Sequence, residues 1–241
     1  MTWWSLLGSG EFQPWSETAD RWLLERADGD GRVLILPTAA APEGRSVFDS
    51  WASMGTDHFA TIGVASEVVP LEGRADAEDP AIVARLDRAS VVYFSGGNPA
   101  YLARTLEDTT FWTRLQERLR EGMAYAGCSG GVACLTETTF DSTSTDFEAV
   151  LVPGLGAIRR AVFGPHWDVV DTWIPGARDF IVGSVPDGYT FLGLDEDTAM
   201  LGDGSSWEVA GKSAVHVRSG GTWATYREGD RFDLRLDGAA G

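Results

Sequence analysis

Five short apolar runs, each leading into glycine or proline, constrain the fold of this chain more than any other feature. They are WWSLL at 3–7, RVLILPTA at 32–39, SEVVPLE at 66–72, SVVYFSGG at 90–97 and GMAYAGCSGG at 122–131. Their apolar residues are largely continuous rather than alternating with polar ones. A strand with one wet face alternates; a continuous run needs cover on both faces, as strands of a parallel sheet have. Helical patterns fall between the runs. Residues 16–27 place Ala19, Trp22, Leu23 and Ala27 on one helical face, with Ser16 as the expected N-cap. Residues 79–89 begin with Asp79 as a cap and Pro80 at the first helical position. Residues 98–122 read as one broken helix or two successive ones. This alternation predicts an α/β fold with a mostly parallel central sheet and helices on both faces.

The texture changes after residue 186. Short β-rich runs are split by DG, AG, SGG and EGD, the grammar of antiparallel hairpins. We expect a β-hairpin extension over 186–236, packed on the same single domain, 1–241. A chain of 241 residues suits one such domain, which would bury roughly 70–75% of its unfolded surface. The segment 136–150 is polar and acidic without periodicity, and reads as a surface loop or lid.

Charge and cysteine content narrow the class. With 36 acidic against 19 basic residues the net charge is −17, and no Lys/Arg cluster is present to bind phosphate. Nucleic acid and anionic membrane surfaces are therefore not expected partners. Two cysteines, Cys128 and Cys134, are too few for a disulfide framework, and their spacing is not that of a zinc site. The N-terminal stretch lacks a basic region before its short apolar run, and no run approaches the roughly 18 residues of a membrane span. The expected setting is cytoplasmic, with no metal and no cofactor. A homo-oligomer is compatible with everything in the sequence.

Ligands of open α/β sheets bind at the carboxyl ends of the strands. Two of those ends stand out: Ser95-Gly96-Gly97-Asn98 and Gly127-Cys128-Ser129-Gly130-Gly131. The second fits G-x-S-x-G, a sharp strand-to-helix turn that projects a serine hydroxyl and leaves backbone N–H groups free at the following helix. Centring the pattern on Cys128 instead puts Ala126 where the first glycine belongs, so Ser129 is the better nucleophile. A serine needs a base. Of the three histidines, His216 lies in an alternating strand and His58 has no motif around it; His166, in the irregular stretch FGPHWD, is the base by elimination. Asp195, Glu196 and Asp197 in GLDEDTAM are the candidates to orient it, and spacing does not choose among them. GSGEF at 8–12 lacks the pattern of a dinucleotide loop and reads as cleft floor. Trp167, beside the proposed base, is the tryptophan expected to line the cleft.

FSGGNPAYLARTL, GCSGGVA, PGLGAI…GPHWD and LGLDEDTA occur in the order found in the serine peptidase family of peptidase E (aspartyl dipeptidase) and cyanophycinase, and the chain resembles that family from about residue 5 to residue 217. The resemblance implies a three-layer α/β sandwich like that of class I glutamine amidotransferases. It implies Ser129 as nucleophile, His166 as base and Glu196 as the third member. It further implies that Gly96 and Gly97, together with the N–H of Gly130, form an oxyanion hole, and that Asn98 shapes the cleft. The substrate would be a small peptide or amide. Family members that cleave next to aspartate carry arginines just after the histidine. Here Asp168 and Asp171 stand in that stretch, and Arg159 and Arg160, upstream, are the candidates to replace those arginines. An acidic pocket would favour a free α-amino group or a basic side chain. Two alternatives remain: a non-catalytic binding or regulatory member of the same fold, and a cysteine-dependent amidotransferase using Cys128.

Overall fold

The structure is a computed structural model and describes residues 2–146 and 149–239. Along the chain, β1 (Trp4–Leu7) leads to α1 (Glu17–Leu24), β2 (Val33–Leu36), α2 (Arg45–Thr61) and β3 (Ser66–Val68). Then come α3 (Pro80–Val83), β4 (Val91–Phe94), α4 (Pro99–Leu106), α5 (Thr110–Arg120), β5 (Ala124–Cys128) and α6 (Gly130–Ala133). They are followed by β6 (Thr138–Phe140), β7 (Leu151–Pro153), β8 (Ala161–Pro165), α7 (Val170–Trp173) and α8 (Ala177–Gly183). The remaining strands are β9 (Thr190–Leu194), β10 (Thr198–Gly202), β11 (Ser206–Gly211), β12 (Ala214–Ser219), β13 (Thr222–Arg227) and β14 (Arg231–Asp233).

The five apolar runs of the sequence are β1 to β5, and they lie parallel as β1-β5-β4-β2-β3. Successive side chains of a strand point to opposite faces. Leu34, Leu36, Val92, Phe94 and Tyr125 therefore pack with Leu102, Phe111 and Leu115 of α4 and α5. Val33, Ile35, Val91, Tyr93 and Ala126 pack on the other face with Leu23 of α1 and Phe59 of α2. Both faces are covered, which is why the runs are continuous.

The C-terminal β region is largely antiparallel, as expected. It feeds two sheets. Strands β10, β11 and β14 extend the central sheet antiparallel, starting with β10 against β1. Strands β9, β12 and β13 join β8 in a second sheet ordered β13-β12-β9-β8. In it β8 and β9 are parallel, a pairing hidden from the sequence because β8 lies far upstream. The core joins the two sheets: Phe163, Leu192, Leu194 and Val215 share one buried cluster with Leu6, Phe94 and Met200.

Local signals held in part. Asp79, Asn98 and Thr109 cap α3, α4 and α5 through their side chains. Ser16 does not cap α1. A 3-10 turn at Pro14–Ser16 gives Ser16 helical dihedrals, and its Oγ donates to Gln13 O and Asp20 Oδ2 instead. His58, on α2, is buried and lies 2.7 Å from Asp20 Oδ2, a structural pair. Of the stretch 136–150 expected as a surface loop or lid, Thr138–Phe140 form β6, paired as an antiparallel arm with β7 just beyond it, the described residues from Asp141 on lie outside strand and helix, and residues 147–148 lie outside the described residues. Among the described residues no helix is long and apolar enough to cross a membrane.

Asp141, at the end of β6, accepts hydrogen bonds from Thr143 and from Asn98 Nδ2, and these hold its carboxyl group at about 2, below the usual 3.8. A depressed carboxylate contributes its stability above the unfolded pKa and loses it as pH falls through the folded one. The extra hydrogen-exchange protection of β6 in wild type over Asp141→Ala should therefore persist from pH 7 to about pH 4 and vanish toward pH 2. Loss of that difference already at pH 5 would contradict this assignment.

Candidate active site

Ser129 is the first residue beyond β5 and has φ 49°, ψ −107°, a conformation that L-residues rarely adopt. It is the bend between strand and helix that the glycines allow. An added Cβ at Gly130 would collide with the carbonyl oxygen of Gly97, so the elbow and the Ser95–Asn98 turn can touch only through glycine. Gly97 itself has φ +136°. Among the described residues the N–H groups of Gly97 and Gly130 have no hydrogen-bond partner.

His166 follows β8, and Glu196 lies two residues beyond β9. These strands pair in parallel with Pro165 opposite Leu194, so both side chains emerge at the same sheet end. His166 also has a positive φ, 54°. Its Nε2 is 2.9 Å from Ser129 Oγ and its Nδ1 is 3.0 Å from Glu196 Oε1. The backbone N–H of Glu196 donates to Asp168 Oδ1 at 2.8 Å.

The other two acids of the DED run are occupied elsewhere. Asp195 faces His216 Nε2 at 3.1 Å and accepts from Ser213 Oγ and the Ala214 N–H. Burial opposes its charge, but the bonds from His216 and Ser213 outweigh burial and hold its pKa below the ordinary value. Asp197 is paired with Lys212 at 2.9 Å. Cys128 is fully buried, donating its thiol hydrogen to Glu11 Oε2 at 2.8 Å. Burial, reinforced by Glu11, pushes the thiol well above its ordinary pKa, which is unsuited to a nucleophile.

Three expectations change. The Gly96 N–H is not free for an oxyanion, because it donates to Glu11 Oε1 at 2.7 Å. Trp167 does not line the cleft: it is buried against Phe191, with ring centroids 4.6 Å apart, because the turn after β8 folds its ring onto the second sheet beside Gly193. The aromatic on the histidine is Trp173 of α7, which is 58% exposed, with its ring centroid 4.9 Å from that of His166. Asn98 caps α4 and donates from Nδ2 to Asp141 Oδ1 on the arm. Arg159 and Arg160 immediately precede β8 while His166 follows it, so a strand of about 3.3 Å per residue separates them from the site. Arg178, nearer in the fold, is engaged with the Trp167 carbonyl and Asp171.

Glu11 and Trp173 were the residues to find. Glu11 had a signal, a lone acid inside the glycine-rich GSGEF after β1. Trp173 had none, since α7 is a single turn. Among the described residues no group of three or more His, Cys, Asp or Glu side chains could hold a metal ion.

A serine, an imidazole and a carboxylate hydrogen-bonded in line at the carboxyl ends of parallel strands is the arrangement of serine hydrolases. The chain belongs to peptidase family S51, whose family model matches residues 5–210. It is 29% identical over 203 residues to a cyanophycinase of Synechococcus elongatus, covering 80% of this chain and 60% of that protein. It is 27% identical over 158 residues to a cyanophycinase of Nostoc sp., covering 63% of this chain and 52% of that protein. The chain thus spans little more than half the length of these relatives. A crystal structure of a peptidase from an acI-B1 Actinobacterium superposes with a TM-score of 0.88 at 29% identity, covering 97% of both chains.

Removing Glu11 would strand the Gly96 N–H and the Cys128 thiol in a buried site. Glu11→Ala should lower unfolding stability by about 2–3 kcal/mol, the scale of a buried hydrogen-bonded carboxyl group. Urea denaturation measures this, and a loss below about 0.5 kcal/mol, the scale of an ordinary surface substitution, would contradict it.

Proposed function

We propose that this chain is a serine peptidase that cleaves a small peptide or amide through Ser129, His166 and Glu196. The single observation that carries the reading is the unbroken hydrogen-bonded line from Ser129 Oγ through His166 to Glu196, at 2.9 and 3.0 Å. Family membership supports it.

His166 takes the Ser129 proton as Oγ attacks the substrate carbonyl. Glu196, accepting from Nδ1, holds the imidazole in the tautomer that leaves Nε2 free to accept that proton and stabilises the imidazolium that forms. Charge develops on the carbonyl oxygen, where the unpaired N–H groups of Gly97 and Gly130 receive it. Each such donor is typically worth on the order of 10²–10³ in turnover. His166 then returns the proton to the departing amine, and water attacks the acyl-enzyme by the reverse route. The buried thiol of Cys128 speaks against the amidotransferase alternative.

Against a panel of dipeptides, Ser129→Ala should lower kcat by roughly 10⁴-fold or more, and Glu196→Gln by roughly 10⁴-fold, because triad members act as one unit. Cys128→Ala should stay within a few-fold of wild type. Full activity in Ser129→Ala, or its loss in Cys128→Ala with the fold intact, would overturn the assignment.

A further inference from the structure

Beside the histidine, a cavity of about 170 Å³ lies between the arm, β8 and the α7–α8 pair. It begins at Pro165, the residue before His166. Val170 and Ile174, which bracket the turn carrying Trp173, form one wall. Ala133, four residues from Ser129 on α6, also lines it, as do Phe140 and Ile181. Among the described residues its only polar side chains are the hydroxyls of Thr138, Thr139, Ser184 and Tyr189, and no charged side chain lines it.

An apolar cavity of about 150 Å³ is large enough to take a benzene molecule. A carboxylate or an ammonium group entering this one would lose its hydration with no opposite charge to meet, a cost that leaves such a site to neutral groups. The cation carried by the post-histidine stretch and α8, Arg178, does not line it and is bonded to the Trp167 carbonyl.

We propose that this cavity is a side-chain subsite for an apolar residue of the substrate, aliphatic or phenyl, flanking the bond that Ser129 attacks. The proposal rests on the serine-peptidase reading above for its catalytic half, and on the cavity alone for its binding half. It replaces the acidic pocket expected from Asp168 and Asp171: Asp168 bonds the Glu196 N–H, Asp171 accepts from the Arg178 N–H, and neither lines the cavity.

Two readouts separate those halves. Toluene, a neutral probe of the right size, should raise the Tm of wild type and of Ser129→Ala alike. It should fail to do so in Ser184→Trp or Ile181→Trp, which fill the cavity from partly buried positions of α8 and its end. No binding of toluene, or binding unchanged in a folded filling variant, overturns the proposal. In hydrolysis of Ala-X and X-Ala dipeptides, X = Leu or Phe should exceed X = Gly, Asp or Lys by about 10- to 100-fold in kcat/KM at one of the two positions, the worth of burying a large apolar side chain. Ser184→Trp should erase that preference. Toluene binding without any Ser129-dependent hydrolysis would defeat the peptidase reading while leaving the apolar cavity standing. A preference for Asp or Lys would defeat the subsite.

Discussion

Ser129 is held in a backbone conformation that costs a residue with a side chain about 1–3 kcal/mol, and the surrounding structure compensates for it. Its N–H donates to Leu7 O on β1, and its carbonyl accepts from Val132 and Ala133 of α6. The hydroxyl of Tyr125, one strand turn earlier, donates to Gly131 O at 2.6 Å. Glu11 bonds the residue before the serine and the turn opposite it at once, through Cys128 and Gly96. The elbow is therefore clamped from strand, helix and neighbouring turn. That over-determination lets a strained residue persist, and it also fixes where the hydroxyl points.

The rest of the fold brings two more groups to that fixed point. The central sheet supplies only the serine. The second sheet supplies both partners, because β8 and β9 run parallel and end together, so residues 166 and 196 meet although 30 positions apart. The shared buried cluster between the sheets then sets the distance from histidine to serine. Three histidines each face a carboxylate here: His58 with Asp20, His216 with Asp195 and His166 with Glu196. Only the last also reaches a hydroxyl on a strained turn, which distinguishes it from the other two pairs.

The parallel half of the fold was legible because its physics is local. A strand covered on both faces must be apolar throughout, and a helix that follows needs a cap, so β1 to β5 and the Asp79 cap announce themselves. The elbow was legible for the same reason: glycines either side of Ser129 answer a local steric demand. What stayed hidden is non-local. The division of the C-terminal strands between two sheets depends on β10 finding β1, and no hairpin signal encodes a partner nearly 200 residues away. The competition among Asp195, Glu196 and Asp197 is decided by His216 and Lys212, which lie on other segments. Trp167 misled because adjacency in sequence does not fix which side of a turn a ring takes. Gly96 misled because its N–H was already bonded by Glu11.

On the proposed reading the Ser129 hydroxyl, rather than the neighbouring thiol, is the activated group. Treating the native protein with a fluorophosphonate and mapping the adduct by peptide mass spectrometry tests it most directly. A single adduct on Ser129, absent in His166→Ala, is the predicted result. Failure to label Ser129, or modification of Cys128 in the folded protein under the same conditions, would contradict it.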